Sequence, residues 1–186
     1  MKIRKVAIMA LVFVTFLVGV TMQVSAQQTE EDHTQLVILG SAIAIGIAGI
    51  SSAIGLGLAG SSAVAVTAEK PNLFGKLLVL QVLPMTQSVY GLLTAILLMM
   101  GVGLLGGTPM ASQLQGMGAI WIGLAVGLTG ISAINQGMVA SSSISAVGRN
   151  PDVAARGIIF TVMPETIAIF GLLVGILLMT GLGLLG

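Results

Sequence analysis

Residues 82–99 read VLPMTQSVYGLLTAILLM, and residues 162–179 read VMPETIAIFGLLVGILLM. The two stretches align without a gap. Val82-Leu83-Pro84-Met85-Thr86 lies on Val162-Met163-Pro164-Glu165-Thr166, Gly91-Leu92-Leu93 on Gly171-Leu172-Leu173, and Ile96-Leu97-Leu98-Met99 on Ile176-Leu177-Leu178-Met179. Upstream, Ser52-Ala53-Ile54 lies on Ser132-Ala133-Ile134 with the same offset of 80 residues (132 − 52 and 165 − 85). A constant offset across two segments of each half marks a duplicated unit. Each unit is a helical hairpin, and the two hairpins run the same way.

The solvent around those hairpins is lipid. The chain has 186 residues, of which 56% are hydrophobic and 7% charged; a soluble domain carries roughly 25% charged residues. Four apolar segments, 36–66, 73–106, 113–147 and 153–186, each exceed the roughly 20 residues a helix needs to cross a bilayer. The turns between them have breaker compositions: Glu69-Lys70-Pro71-Asn72, Gly106-Gly107-Thr108-Pro109 and Arg149-Asn150-Pro151-Asp152. The expected fold is therefore an all-α membrane protein of two tandem transmembrane hairpins. Without cysteine there is no disulfide and no thiolate metal site. A net charge of +1 with no basic patch argues against nucleic acid.

Residues 1–26 read as a signal peptide. Lys2, Arg4 and Lys5 form a basic start, Val6 to Val20 a short apolar core, and Val24-Ser25-Ala26 a small-residue cleavage site; an uncleaved extra helix is the alternative. Residues 27–35 form an acidic external segment in which His33 is read as a solvated linker residue. Residues 36–106 are the first hairpin, 107–112 an external loop, and 113–186 the second hairpin. Lys70 and Lys76 flank one hairpin turn, and Arg149 and Arg156 the other. The positive-inside rule puts both turns in the cytoplasm and the mature termini outside.

Glu165 is the one charge deep inside an apolar run. A carboxylate at membrane depth costs a few kcal/mol and is functional by default. It needs a proton, a cation or a partner, and the chain has no Lys or Arg at that depth. On the second segment, Leu83, Gln87 and Tyr90 share a helix face, bordered by Thr86. Pro84 and Pro164 lack amide protons, so each interrupts its helix and frees a carbonyl. Gln136 lies on the third segment. These polar groups are divided between the repeats: Gln87 matches Ile167, Tyr90 matches Phe170, Gln136 matches Leu56, and Glu165 matches Met85. One site per chain follows, and hydroxyl, amide and carboxylate oxygens together suit a hard cation.

The first and third segments are dense in small residues, Gly46, Gly49, Ser52, Gly55, Gly57 and Gly60 in one, Gly118, Gly123, Gly127, Gly130 and Gly137 in the other. Such spacing lets helices approach closely in lipid and suggests an inner wall of crowded helices, with Gly55 and Gly130 as positions on which assembly depends.

Leu83-Pro84-x-Thr86-Gln87-x-x-Tyr90-Gly91, then Gln136-Gly137, then Pro164-Glu165-Thr166 resemble the rotor-ring proteolipid, subunit K or c, of vacuolar- and archaeal-type rotary ATPases. The resemblance covers about residues 36–186. It implies a ring of copies turning against a static membrane subunit with an arginine, and central-stalk subunits as further partners. The ATP chemistry would take place in a separate soluble head, so the chain itself is not an enzyme and has no cofactor. In sodium-type members the ligands correspond to the Leu83 carbonyl, Thr86, Gln87, Gln136 and Glu165, with Tyr90 hydrogen-bonded to the glutamate. The resemblance thus implies one transported Na⁺ per chain. The same ring carrying H⁺ is the alternative, since a proton needs only Glu165 and a hydrogen-bond partner. A small organic-cation exporter is more remote, because only Tyr90 and Phe170 could cage such a cation.

Overall fold

The computed structural model describes residues 32–185, so the signal-peptide reading and most of the acidic segment lie outside the described residues. Four helical spans follow one another: α1, Thr34–Glu69; α2, Pro71–Gly101; α3, Gln113–Arg149; and α4, Pro151–Gly181. All are long and apolar enough to cross a membrane. Their ends differ from the sequence expectation by a few residues. The second span stops at Gly101 rather than running to Gly106, because Gly103 takes φ +76° and Gly106 φ +121°. A left-handed residue ends a helix, and glycine adopts it without strain.

The remaining ends are set by local chemistry. Ser112 and Gln115 form a capping box at the start of α3, each side chain accepting the other's backbone N–H. At the start of α1, Asp32 Oδ1 accepts from the Thr34 hydroxyl, the Thr34 amide and the Ala111 amide. These bonds, the Thr34 hydroxyl first, hold its carboxyl below the usual range. His33 is half-buried, its amide donating to Ala111 O at 3.0 Å. It is therefore a packed residue of the inter-hairpin junction, not the solvated linker expected, because the 111–112 loop folds back over the start of α1.

α1 and α3 are the central pair. They pack along most of their length, each hairpin's second span lies against its first, and α2 meets α4 less extensively. Two crossings bring backbone to backbone. A Cβ on Gly123 would collide with the Gly40 carbonyl, and one on Gly137 with Gly55 itself. Gly55 faces the Ala133 carbonyl and Pro84, and Gly130 faces Ala48. Both are thus packed inside the chain, and bulk there would disturb the fold of one chain before any assembly. Of the glycines named in these two helices, Gly46, Gly49 and Gly57 have open space around them.

The two hairpin turns lie at one end of the bundle. Lys70 Nζ donates to Gly148 O, and Lys76 Nζ to Pro151 O at 3.2 Å, so both lysines of the first turn bind carbonyls of the second. Each proline inside a span leaves its mark as expected. α2 is an α-helix over Phe74–Val82, a 3₁₀ turn over Leu83–Met85 and an α-helix over Thr86–Gly101. α4 is helical over Ala154–Val162 and again over Glu165–Gly181, with a turn between. α3 has a break of its own at Gly130–Ile131, between Gln113–Thr129 and Ser132–Arg149. The matching residues of α1 are continuous helix.

Candidate ion-binding site

The interruptions of α2 and α4 lie at the site itself, and that of α3 lies one to two turns away, where Gly130 packs on Ala48 and Thr129 meets Gly171. The 3₁₀ turn tightens α2 at Leu83–Met85, the break in α3 precedes Gln136 by five residues, and the turn in α4 delivers Glu165 as the first residue of the final helix. An interrupted helix can aim side chains and free carbonyls inward where a regular one cannot.

The six sequence-predicted residues are joined by one continuous run of hydrogen bonds over three spans. Thr86 Oγ1 donates to Leu83 O at 3.0 Å and lies 3.2 Å from Gln87 Oε1. Gln87 Nε2 donates to Gln136 Oε1 at 2.7 Å. Gln136 Nε2 donates to Glu165 Oε2 at 3.4 Å, and the Tyr90 hydroxyl donates to Glu165 Oε1 at 2.7 Å. Gln87 and Gln136 are fully buried, and Glu165 is 8% exposed. Pro84 and Pro164 both free a carbonyl further up their helices, but the carbonyl in this cluster is that of Leu83.

Each contact has a local cause. Gln87 and Tyr90 project from the same side of α2, three residues apart, which turns the amide towards α3 and the phenol towards α4. Gly91, on the next turn, lets α2 lie on α1: a Cβ there would stand 2.7 Å from Ala44 O. Ser52 is a further residue that sequence reasoning passed over. Its hydroxyl accepts the Ser88 amide at 3.1 Å, tying α1 to α2 beside the proline turn. Ser52 stood in the aligned repeat, but nothing in its own neighbourhood signalled that an interrupted helix on another span would need its oxygen.

Chemically the cluster is rich in oxygen and carries one carboxyl group. Among the described residues no group of three or more His, Cys, Asp or Glu side chains comes together, and Glu165 is the one carboxyl group of this cluster. A single carboxylate balances one monovalent charge. Gln87, Gln136, Thr86 and the Leu83 carbonyl can turn neutral oxygen to the same ion, while Tyr90 holds the carboxylate in place.

Comparison with known proteins agrees with the duplication. Residues 39–98 and residues 120–178 each match the family of the ATP synthase C subunit, one match per hairpin. The chain is 46% identical over 142 residues to the A-type ATP synthase subunit K of Methanocaldococcus jannaschii, covering 76% of this chain and 62% of that protein, so it spans less than two thirds of that relative's length. It is 37% identical over 151 residues to the V-type sodium ATPase subunit K of Enterococcus hirae, covering 81% of this chain and 94% of that one. It is 29% identical over 142 residues to the V-type proton ATPase 16 kDa proteolipid subunit of Chrysotila carterae, covering 75% and 87%.

Proposed function

This chain belongs to the ATP synthase C subunit family, and we propose that it is the ion-carrying proteolipid of the rotor ring in a V/A-type rotary ATPase, binding one Na⁺ per chain at Glu165. The observation that carries the reading is the buried carboxylate of Glu165 at the end of a hydrogen-bonded run of neutral oxygen groups from α2 and α3. The chain catalyses no covalent step. Leu83, Thr86, Gln87 and Gln136 replace the ion's water, and Glu165 neutralises it, so the loaded site can face lipid without the cost of a bare charge. Release requires the Tyr90 and Gln136 hydrogen bonds to Glu165 to open. A static subunit with an arginine supplies a competing charge for the carboxylate, copies of the chain form the ring, and central-stalk subunits link it to a soluble head.

The test is labelling of Glu165 by a hydrophobic carbodiimide, which reacts with the protonated carboxyl. Na⁺ should slow the reaction, with an apparent affinity that weakens as pH falls, because proton and Na⁺ compete for one carboxylate. Labelling indifferent to Na⁺ at every pH tried would overturn the Na⁺ reading and leave a proton-carrying ring, with Tyr90 and Gln136 as hydrogen-bond partners of a protonated Glu165.

Orientation follows from charge. Lys70, Lys76, Arg149 and Arg156 gather at one end of the bundle, which the positive-inside rule assigns to the cytoplasm of a cell-membrane protein, with the mature termini outside. Cysteines introduced by Asn72→Cys and Asn150→Cys should react with an impermeant thiol reagent only in inverted vesicles. Labelling of both in intact cells would reverse the assignment.

A further inference from the structure

The duplication supplies a control within the chain: a serine that recurs at the same position of each hairpin is engaged in one and idle in the other. Ser52 and Ser132 are mates at the offset of 80 residues. Both are buried, at 2% and 9% exposure. The Ser52 hydroxyl accepts the Ser88 amide at 3.1 Å, whereas the Ser132 hydroxyl has no partner. Ser132 nonetheless stands at the level of Ala168, the mate of Ser88, because Thr129 lies on Gly171 and Gln136 on Glu165 to either side of it.

The two serines differ because the helices beside them restart at different residues after their prolines. In α4 the N-cap is Pro164; in α2 it is Met85, one residue later than Pro84, the mate of Pro164. An N-cap carbonyl accepts the amide four residues on. Restarting at Pro164 therefore draws the Ala168 amide into the helical ladder. Restarting at Met85 opens the ladder at Val89 and leaves the Ser88 amide outside it, at membrane depth, where an unmade hydrogen bond is costly. Ser52 supplies the missing acceptor. Met85 is thereby left in the 3₁₀ turn Leu83–Met85, the turn that holds the Leu83 carbonyl and the Thr86 hydroxyl together at 3.0 Å.

α1 can reach this turn because Gly55, one helical turn from Ser52, leaves space for Pro84. A Cβ at Gly55 would stand 2.8 Å from Pro84 Cβ. The mate of Gly55 in α3 is Asn135, so α3 carries a side chain at the corresponding place.

We infer that Ser52 is a positioning residue for the cation: from α1, a span that contributes no ligand, it fixes the 3₁₀ turn that aims the Leu83 carbonyl and the Thr86 hydroxyl at the site. The inference rests on the Na⁺ reading above and deepens it. A proton on Glu165 uses neither of those oxygens, so the contribution of Ser52 belongs to the metal ion alone and favours Na⁺ over H⁺ at the shared carboxylate.

Na⁺ protection of Glu165 against the carbodiimide, in the assembled complex in its membrane, provides the test. Ser52→Ala should weaken protection by roughly 2–10-fold, the equivalent of about one net hydrogen bond, and leave labelling without Na⁺ at the parent rate. Ser132→Ala removes a buried hydroxyl that has no partner and should change neither. In a Thr86→Val background, where one of the oxygens aimed by the turn is already gone, Ser52→Ala should cost less than it does in the parent, because residues acting through one another are not additive. Unchanged protection in Ser52→Ala, an equal loss in Ser132→Ala, or full additivity with Thr86→Val would each overturn the inference. Should Ser52→Ala fail to assemble, Ser52→Cys, whose thiol accepts only weakly, takes its place with the same expected deficit. A parent chain whose labelling ignores Na⁺ would instead overturn the Na⁺ reading, and this inference with it.

Discussion

Glu165→Gln is expected to abolish carbodiimide labelling and ion-coupled turnover together, while the ring still assembles. Glutamine matches glutamate in shape, and its carbonyl can still accept the Tyr90 hydroxyl bond now made to Glu165. What disappears is the charge. Leaving a buried ion without its partner costs about 3–5 kcal/mol, which at about 1.4 kcal/mol per factor of ten is a loss of roughly 10²–10³-fold or more in Na⁺ affinity. The measurement is Na⁺-dependent ATP turnover in vesicles, alongside the size of the detergent-solubilised ring. A variant that assembles normally and still couples turnover to ion flux at a substantial fraction of the parent rate would show that another group carries the ion. A variant that fails to assemble would show that Glu165 acts first in packing.

Gln136→Leu should separate the cation reading from the proton reading. The substitution copies Leu56, the matching residue of the first hairpin. It removes one oxygen from the pocket and strips Gln87 Nε2 of its 2.7 Å acceptor and Glu165 Oε2 of its donor, in a fully buried setting. An orphaned buried group costs about 1–3 kcal/mol, so Na⁺ protection of Glu165 should weaken by about 5–150-fold at 1.4 kcal/mol per decade. Labelling in the absence of Na⁺ should persist, since the carboxyl remains. Adding Gln87→Ile, which copies Ile167, removes the orphaned amide and should recover stability without recovering Na⁺ protection. Unchanged Na⁺ protection in Gln136→Leu would exclude Gln136 as a ligand. Because proton and Na⁺ compete for Glu165, the Na⁺ needed for protection should rise as pH falls in parent and variant alike.

Much of this protein could be read from the chain itself, because lipid enforces simple rules. Backbone groups in hydrocarbon must be bonded within helices or closed barrels, and four apolar runs of about 30 residues have the length of helices rather than of barrel strands, which the repeat made two hairpins running the same way. Glu165 stood out because a membrane-depth charge is costly, and Gln87, Tyr90 and Gln136 stood out because their repeat mates are apolar. The tertiary structure decided what distance along the chain conceals. Whether Gln136, 49 residues from Gln87, meets it depends on how α3 packs against α1 and α2. The assignment of glycines was likewise out of reach. Gly55, Gly57 and Gly137 look alike in sequence, yet Gly55 and Gly137 press helix on helix inside the chain while Gly57 faces open space. Helical spacing fixes which side of a helix a residue occupies but not which neighbour covers that side, and the neighbour is chosen only when α1 and α3 settle into their crossing.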